Sequence, residues 1–395
     1  MTMSPLHTLL KKKLHFQGTN SCSNGDDGNR QFKSAVYFSS WSVYQRKHFM
    51  KDLPLKYLTD VFYAFLAIDS NTGEIKFSDS WGDIEMPLDS LITQGSKVKG
   101  NLGQMNELKQ LFPSVTFSMS IGGWGSDAAF STVMSDTNKM NTFVSSAVNL
   151  LSKYGFDGID IDWEYPKNAH EGKLMVDLLR KLRQELDSLA SSKRPILTIA
   201  APAGEDSRSN LRMREMDQYL SFWNIMCYDY AGNSWSDKTG FHSNLFGSNG
   251  DNELNGSDVI TSYLNSGISS RKLVLGMPLY GRKFFGAKSP SIGQKFNASA
   301  ANGEADIADY KFLPMKGCQE YFDPRKVSAS CFDPKKECFV SYDNQQSARI
   351  KAKFVESKNL AGGMWWDSAG DPLDEERSLI KNFVDQLGGL DRLEK

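Results

Sequence analysis

The stretch GFDGIDIDWEYP, residues 155–166, carries most of the information about the fold, because acidic residues interrupt an otherwise strongly apolar segment. Such segments form buried strands, where acidic side chains are rare unless they are paired or functional. Since successive side chains of a strand face opposite ways, Asp160, Asp162 and Glu164 share one face. Asp157 has the other parity, and we expect it to have a structural role.

Short apolar runs and helical patterns alternate on both sides of this stretch. Eight strands are predicted, at residues 34–39, 60–68, 115–121, 156–163, 196–202, 222–229, 272–281 and 360–367. Most are apolar on both faces, as buried parallel strands are. Helical patterns lie between most of them, for example at 103–112, 140–154, 172–190 and 344–358. Strand then helix, repeated eight times, predicts an α/β protein with a (β/α)8 TIM barrel.

Two segments fall outside this rhythm. Residues 1–33 are polar and aperiodic, which predicts a disordered arm before a catalytic barrel over residues 34–395. About 55 residues between the seventh and eighth strands contain Gly, Pro, aromatic residues and Cys but no long helical pattern, and a structureless loop of that length would be unusual. We therefore predict a small inserted α+β subdomain over residues 283–342.

Composition excludes several classes of function. The 395 residues contain 47 acidic and 46 basic side chains, without the basic excess of a nucleic-acid-binding protein. No apolar run is long enough to predict a membrane span. The 5 histidines have no metal-ligand spacing, so neither a metal nor another cofactor is expected. We expect a monomer.

Location and cysteine pairing stay open at this point. The amino terminus lacks the apolar core of a signal peptide, which predicts a cytoplasmic or non-classically exported protein, with an extracellular or cell-wall location as the alternative. Five cysteines fit a reducing compartment. However, Cys318, Cys331 and Cys338 lie close enough in sequence to hold one disulfide in an exported protein.

The position of the acids indicates acid–base chemistry. Glu164 lies at the carboxyl end of its strand, where TIM barrels place their active sites. Like charges at close range raise at least one pKa, so two of the three acids are expected to share a proton. A carboxylic acid protonated near neutral pH can act as a general acid. The alternative is a buried ion-pair or metal cluster.

The motif D-x-x-D-x-D-x-E in DGIDIDWE resembles the signature of glycoside hydrolase family 18, the chitinases. SMSIGGW, MCYDYAG, GMPLYGRKF and GGMWWDSAGD are similar to the family's motifs on the third, sixth, seventh and eighth strands. The resemblance runs from about Ser34 to the end and is to the fungal class V, bacterial-type enzymes. It implies that residues 283–342 are the family's chitinase insertion domain between strands 7 and 8.

The resemblance also implies a retaining, substrate-assisted mechanism, in which the sugar's own acetamide replaces a protein nucleophile. Glu164 is then the general acid and base, and Asp162 orients the acetamide N–H. Asp160 shares a proton with Asp162, and Tyr228 hydrogen-bonds the acetamide carbonyl oxygen. The implied substrate is chitin or a chitooligosaccharide.

Further sugar-binding positions follow from the same motifs. The implied residues are Tyr37, Phe65, Trp124, Met226, Asp229, Trp235, Tyr280, Arg282, Met364 and Trp366. Strand parity turns Trp365 away from the site. Any one of these aromatic residues alone would be more simply explained by core packing. Ser120, Gly122 and Gly123 are expected to be structural, with the glycines letting backbone pass close to the catalytic strand.

Two other functions are compatible with a family 18 barrel. A chitinase-like lectin would bind sugar without cleaving it, but such proteins typically lose the motif glutamate, which is present here as Glu164. An endo-β-N-acetylglucosaminidase acting on N-glycan cores is a second alternative. Such relatives usually lack the insertion and the Y-G-R segment, both of which this sequence contains.

Overall fold

A computed structural model describes residues 30–190, 193–248, 253–298 and 306–395. Most of the predicted arm lies outside these ranges. Its last residues do not behave as an arm, because Phe32 is buried and pairs with Leu393. Lys33 already begins the first strand. Burial of the Phe32 ring therefore extends the folded region to a point before the predicted boundary.

Eight parallel strands form a closed barrel, as predicted. Strands are labelled in chain order. The barrel strands are β1 (Lys33–Ser39), β2 (Asp60–Ile68), β6 (Thr116–Gly122), β7 (Gly158–Asp162), β8 (Ile196–Ala201), β9 (Phe222–Ile225), β10 (Leu273–Pro278) and β16 (Gly362–Trp366). Each pairs with its neighbours in parallel, and pairing of β1 with both β2 and β16 closes the ring.

The helices surround this barrel. They are α1 (Gly100–Leu111), α2 (Asp127–Met134), α3 (Thr137–Tyr154), α4 (Ala169–Ser188), α5 (Glu205–Arg208), α6 (Met213–Asp217), α7 (Gly256–Asn265), α8 (Gln345–Ser357) and α9 (Leu379–Gln386). The four helices predicted from periodicity correspond to α1, α3, α4 and α8. The first repeat differs from the prediction, because β1 is connected to β2 by short 3-10 turns at residues 40–43, 50–52 and 55–57.

Three short strands lie in the connection between β2 and β6. β3 (Ile75–Phe77) pairs antiparallel with β2, and β4 (Pro87–Asp89) pairs with β5 (Lys97–Lys99). The sixth barrel strand is shorter than the predicted 222–229. It ends at Ile225, and Asp229 adopts a positive φ of 59° that is incompatible with a continuing strand.

Alternation along the strands separates two apolar regions. Residues of one parity pack outward against the helices in a large core that includes Ile159, Ile161 and Trp365. Residues of the other parity fill the barrel interior with a small cluster. Its buried members are Ala35, Tyr37, Phe62, Ala64, Phe222, Val274, Ala361 and Met364. The interior is therefore packed, and the space for a ligand lies above it.

Between β10 and α8 the chain forms a second sheet with antiparallel pairing. Its strands are β11 (Tyr280–Phe285), β12 (Ile307–Asp309), β13 (Gln319–Asp323), β14 (Ser328–Asp333) and β15 (Cys338–Tyr342), in the order β12-β11-β15-β14-β13. The sheet occupies the place predicted for the insertion. Cys318, Cys331 and Cys338 are free thiols here, and Cys22 lies outside the described residues.

The backbones of β6 and β7 are in close contact at the carboxyl ends of the two strands. The N–H of Gly123 donates to the carbonyl oxygen of Asp162 at 2.9 Å. Gly122 has a φ of +117°, and a Cβ at this position would lie 2.3 Å from that same oxygen. The expected role of the glycines agrees with this geometry, since a side chain would push the two strands apart.

Substitution of Gly122 tests this contact against a matched glycine. Gly125 also has a positive φ, +87°, but a Cβ added there would have no other atom within 4 Å. Gly125→Ala should lower the free energy of unfolding by only about 1–2 kcal/mol, the cost of a left-handed backbone for alanine. Gly122→Ala should cost clearly more, as measured by urea unfolding, because its Cβ would lie 2.3 Å from the Asp162 oxygen and 2.6 Å from the Phe130 ring. Equal costs would show that the contact with Asp162 is unimportant.

Candidate active site

Three acids from β7 and its end lie on the inward face of the barrel. Asp160 and Asp162 are buried inside the strand, and Glu164 lies two residues beyond the strand end with a partly exposed side chain. Ile159 and Ile161 face the outer core. Strand parity therefore separates the residues as the sequence predicts, and Glu164 is the acid that faces the open carboxyl end.

Asp160 is held by hydroxyl groups from three other strands. Tyr37 donates to one of its oxygens at 2.9 Å, and Ser120 donates to the same oxygen at 2.7 Å. Thr198 donates to the other oxygen at 2.6 Å. Burial raises the pKa of Asp160, and these hydrogen bonds oppose the shift. A carboxylate that accepts several hydrogen bonds is stabilised in its ionised form.

Asp162 has the opposite environment. One of its oxygens, Oδ1, is buried and has no hydrogen-bond partner among the described residues. Burial raises the pKa of Asp162 well above its usual range, and the nearby charges of Glu164 and Asp160 raise it further. The two buried acids therefore differ in one respect: hydroxyl donors oppose the upward shift of the Asp160 pKa, whereas Asp162 Oδ1 has no such donor among the described residues.

Glu164 has the pKa of a group suited to acid–base exchange near neutrality. Its pKa is raised to about 7. Burial is the largest cause, a hydrogen bond with the Tyr165 side chain opposes the shift, and the charge of Asp229 adds to it. A substantial fraction is therefore protonated at neutral pH. A carboxyl group with such a pKa can give a proton to a leaving group and take one back from water.

Asp229 is fixed by a dense set of donors. Arg282 binds its two oxygens through Nε and Nη2, both at 2.8 Å, and the Tyr280 hydroxyl donates at 2.7 Å. The buried ring of His242 lies 3.5 Å away through Nδ1. Burial alone would raise the pKa of Asp229, but the nearby His242 ring and the hydrogen bonds and charge of Arg282 hold it below its usual range.

Tyr228 lies between these groups. Its ring packs against the interior cluster and makes an edge contact with Tyr280 at 6.3 Å between centroids. Burial raises the pKa of its hydroxyl, and the charges of Asp162, Glu164 and Asp229 act in the same direction. Tyr228 therefore stays a neutral donor, close to these three carboxyl groups.

A group of aromatic rings forms one side of the site. Trp366 stacks on Phe65 with centroids 5.4 Å apart and an interplanar angle of 20°. Tyr37 also lies 5.4 Å from Trp366. Trp41, which the motifs did not predict, stacks on Phe65 at 6.1 Å and is 44% exposed. Flat exposed rings next to placed polar groups are typical of carbohydrate sites.

The remaining predicted residues lie in different surroundings. Trp124 is 85% exposed just after β6, and Trp235 is 51% exposed with its ring under the Arg282 guanidinium at 4.9 Å. Met226 and Met364 are buried, and Met364 belongs to the interior cluster. Met364 therefore belongs to the packed interior and not to the exposed part of the site.

Two expectations about neighbouring residues hold. Asp157 pairs with Lys109 at 2.7 Å and accepts the N–H of Phe117 at the opposite end of β7, away from the other acids. Trp365 is fully buried and packs edge-on against Phe383. Both residues therefore lie away from the site, on the side of their strands that the alternation predicts.

Several residues that shape the site were not predicted from the sequence. Ser120 was expected to be structural, but it donates directly to Asp160. Thr198 does the same, and Asn224 donates to the Tyr37 hydroxyl at 3.4 Å. Thr198 and Asn224 have the inward parity of their strands, and this signal could have identified them.

A cavity of about 520 Å³ lies at the other end of the barrel and is distinct from this site. Its lining includes two ion pairs, Lys33 with Asp60 and Lys109 with Asp157. In the described ranges, no cluster of three or more His, Cys, Asp or Glu is arranged to bind a metal. No described helix has the length and apolar character needed to cross a membrane.

Comparison with known proteins gives a consistent result. The family model described as glycosyl hydrolases family 18 matches residues 33–371. Sporulation-specific chitinase 2 of Saccharomyces cerevisiae is 40% identical over 401 residues, covering 90% of this chain and 78% of the relative. Endochitinase 1 of Metarhizium robertsii is 34% identical over 373 residues, covering 92% of this chain and 87% of the relative.

Solved structures agree with this relationship. The catalytic domain of a psychrophilic chitinase B from Arthrobacter has a TM-score of 0.82 and 26% identity, covering 90% of this chain and 95% of that one. A mutant chitinase from Cycas revoluta, in complex with (GlcNAc)4, has a TM-score of 0.78 and 27% identity, covering 90% of this chain and 100% of that one. The range matched by the family model extends over the whole barrel and includes all the acids described above, so the chain belongs to glycoside hydrolase family 18.

Proposed function

We propose that this protein is a chitinase that hydrolyses β-1,4-N-acetylglucosamine linkages with Glu164 as general acid and base. The observation that carries the proposal is the arrangement of the three carboxyl groups. Asp160 accepts hydrogen bonds from three hydroxyl groups, Asp162 has a pKa raised well above its usual range, and Glu164 has a pKa of about 7 at the open end. This arrangement supports Glu164 as the group that gives a proton to the glycosidic oxygen.

The surroundings of Asp229 support substrate assistance over a protein nucleophile. Retaining glycosidases with a carboxylate nucleophile need a second free carboxylate near the acid. Asp229 is close enough to Glu164 to raise its pKa, but its oxygens already accept hydrogen bonds from Arg282 and Tyr280. Its low pKa also makes it a weak nucleophile. That the acetamide of the sugar attacks in place of a protein carboxylate is what membership of family 18 implies.

The proposed reaction has two steps. Glu164 first protonates the glycosidic oxygen while the acetamido oxygen of the same sugar attacks the anomeric carbon, and an oxazolinium ion forms as the bond to the leaving group breaks. Glu164, now a carboxylate, then removes a proton from water, which opens the oxazolinium ring. The product keeps the β configuration because two inversions occur at one carbon.

Asp162 and Tyr228 have complementary parts in the first step. Asp162 orients the acetamide N–H and stabilises the positive charge that develops, and Asp160 accepts the proton that Asp162 gives up. Tyr228 donates to the acetamide carbonyl oxygen. Holding the acetamide in an attacking geometry converts the reaction into a favourable intramolecular one.

The stacked rings support a polysaccharide substrate. Trp366, Phe65 and Trp41 form an apolar wall beside the acids, and Trp124 and Trp235 are exposed near the site. The sheet from β11 to β15 supplies Tyr280 and Arg282, which fix Asp229. An endo-β-N-acetylglucosaminidase would usually lack this segment, so chitin and chitooligosaccharides are the better-supported substrates.

Replacement of the proposed acid tests catalysis separately from binding. Glu164→Gln should lower turnover of an N-acetylglucosamine hexamer by roughly 10²–10⁴-fold, because general acid–base catalysis is lost. Binding of the hexamer, measured by calorimetry, should remain. Glu185→Gln, an exposed change on α4, is the matched control and should leave turnover unchanged. A Glu164→Gln enzyme with more than a few per cent of wild-type turnover would contradict the assignment, and a wild-type protein that binds without cleaving would support the lectin alternative.

The pH dependence follows from the pKa of Glu164. The protonated form is the active acid, so kcat/KM should fall as pH rises through about 7. Asp229→Asn removes a negative charge that raises this pKa, so the falling limb should move to lower pH. Asp177→Asn, on the surface of α4, should leave the limb in place. A limb that moves to higher pH in Asp229→Asn would refute the proposed coupling.

The stereochemistry of the first product tests substrate assistance. Proton NMR of a fresh digest should show the β-anomer at the new reducing end before mutarotation. Asp162→Asn should slow turnover, because the amide cannot exchange a proton with Asp160. Release of the α-anomer would exclude the oxazolinium route.

A further inference from the structure

Arg46 joins three parts of the chain that meet at the edge of the site. It lies in the connection after β1, a few residues beyond Trp41. Its Nη1 donates to Asp367 Oδ2 at 2.6 Å. On its other side, Nε and Nη2 donate to the two oxygens of Asp309 at 3.2 and 2.8 Å. One guanidinium therefore links the first connection, the end of β16 and the edge strand of the inserted sheet.

The hydrogen bond to Asp367 holds the backbone next to the aromatic wall, which is formed by Trp366, Phe65 and Trp41. Asp367 directly follows Trp366, and its side chain is only 5% exposed. The same oxygen that accepts from Arg46 also accepts from Ser39 at the end of β1, at 2.5 Å. The backbone that carries the Trp366 ring is thus tied to the segment that carries Trp41. The two rings also contact each other, with centroids 6.5 Å apart, and both contact Phe65, so this tie adds to the ring contacts that place them.

The ion pair with Asp309 connects Arg46 to the inserted sheet, on the other side of the cleft. Asp309 pairs with Tyr280 across β11 and β12, and Tyr280 donates to Asp229. Lys311 lies 3.3 Å from Asp309 and donates to the carbonyl oxygen of Ala369 at 2.7 Å, so a second cation ties the inserted sheet to the region after β16. Arg46 is therefore one of the contacts that join the aromatic wall to the part of the inserted sheet that holds Asp229.

We propose that Arg46 is a positioning residue that sets the width of the cleft between the aromatic wall and the inserted sheet. It touches no reacting atom. Its two carboxylate partners match the planar fork of a guanidinium, which lysine cannot reproduce because an ammonium is a single point charge. The inference rests on the proposed function for its effect on sugar binding, but its structural part can be measured without substrate.

The simpler alternative is an ion-pair network that only adds stability. A matched pair elsewhere distinguishes the two roles. Arg194 binds Asp187 through the same atoms, Nε and Nη2, at 2.9 and 3.0 Å, on an exposed surface away from the site. If both pairs are merely structural, loss of either should affect unfolding and leave sugar binding unchanged.

The binding test uses the Glu164→Gln protein as background, so that a hexamer of N-acetylglucosamine is bound but not cleaved. Adding Arg46→Gln should raise the Kd of the hexamer by roughly 10-fold, the change expected when one aromatic contact with the sugar is lost. Adding Arg46→Lys should recover only part of this loss. Adding Arg194→Gln should leave Kd within about 2-fold of the background.

A substrate-independent readout separates this inference from the proposed function. In protein labelled with 5-fluorotryptophan, the Trp366 resonance is assigned from its absence in Trp366→Phe. Arg46→Gln should shift or broaden that resonance with no sugar present, and Arg194→Gln should not. This arm would support the positioning role even if the wild-type protein cleaved no chitin. A folded Arg46→Gln protein with unchanged Kd and an unchanged Trp366 resonance would overturn the proposal.

Discussion

Burying carboxyl groups inside a barrel is costly, and this cost explains most of the surrounding structure. Asp160 and Asp162 lie where water cannot solvate them, so their charge must be stabilised by donors or removed by a proton. Hydroxyls of Tyr37, Ser120 and Thr198 stabilise Asp160. Asp162 Oδ1 lacks comparable donors among the described residues, and the pKa of Asp162 is raised well above its usual range. Burial is also the largest cause of the raised pKa of Glu164 at the open end, so one physical cause acts on all three acids and their neighbours make them differ.

The interior of the barrel is divided along its axis. Phe62, Phe222 and Val274 belong to an apolar cluster that fills the space among the strands. Tyr37 belongs to the same cluster, yet its hydroxyl reaches Asp160. It thus joins the packed apolar part to the polar part. Because packing fixes its ring and a hydrogen bond fixes its hydroxyl, Asp160 is held by a rigid partner, as catalytic preorganisation requires.

Charged residues around the rim of the barrel connect the inserted sheet to parts of the barrel with which it forms no strand pairing. Asp229 is bound by Arg282 and Tyr280 from the inserted sheet, whereas Asp309 of that sheet is bound by Arg46 from the first connection. These contacts form a continuous path from the aromatic wall to the inserted sheet and back to the barrel. Bidentate guanidinium–carboxylate pairs suit this task because they constrain orientation as well as distance.

The barrel and the identity of its acidic face could be predicted from sequence, whereas the groups that surround the acids could not. Period-two alternation is a local property of a strand, so the inward placement of Asp160 and Asp162 and the outward placement of Trp365 follow directly from it. The lack of helical periodicity likewise identified the inserted segment. The end of β9 was predicted wrongly, because the positive φ of Asp229 is not visible in an apolar run.

The neighbours of each acid depend on contacts between residues far apart in the chain. Ser120 and Thr198 lie 40 and 38 residues from Asp160, and Arg46 lies 263 and 321 residues from its two partners. Barrel closure and strand register bring such residues level with one another. Local alternation therefore determines where the carboxyl groups point, whereas only the folded barrel determines which donors and charges surround each of them, because those neighbours come from distant parts of the chain.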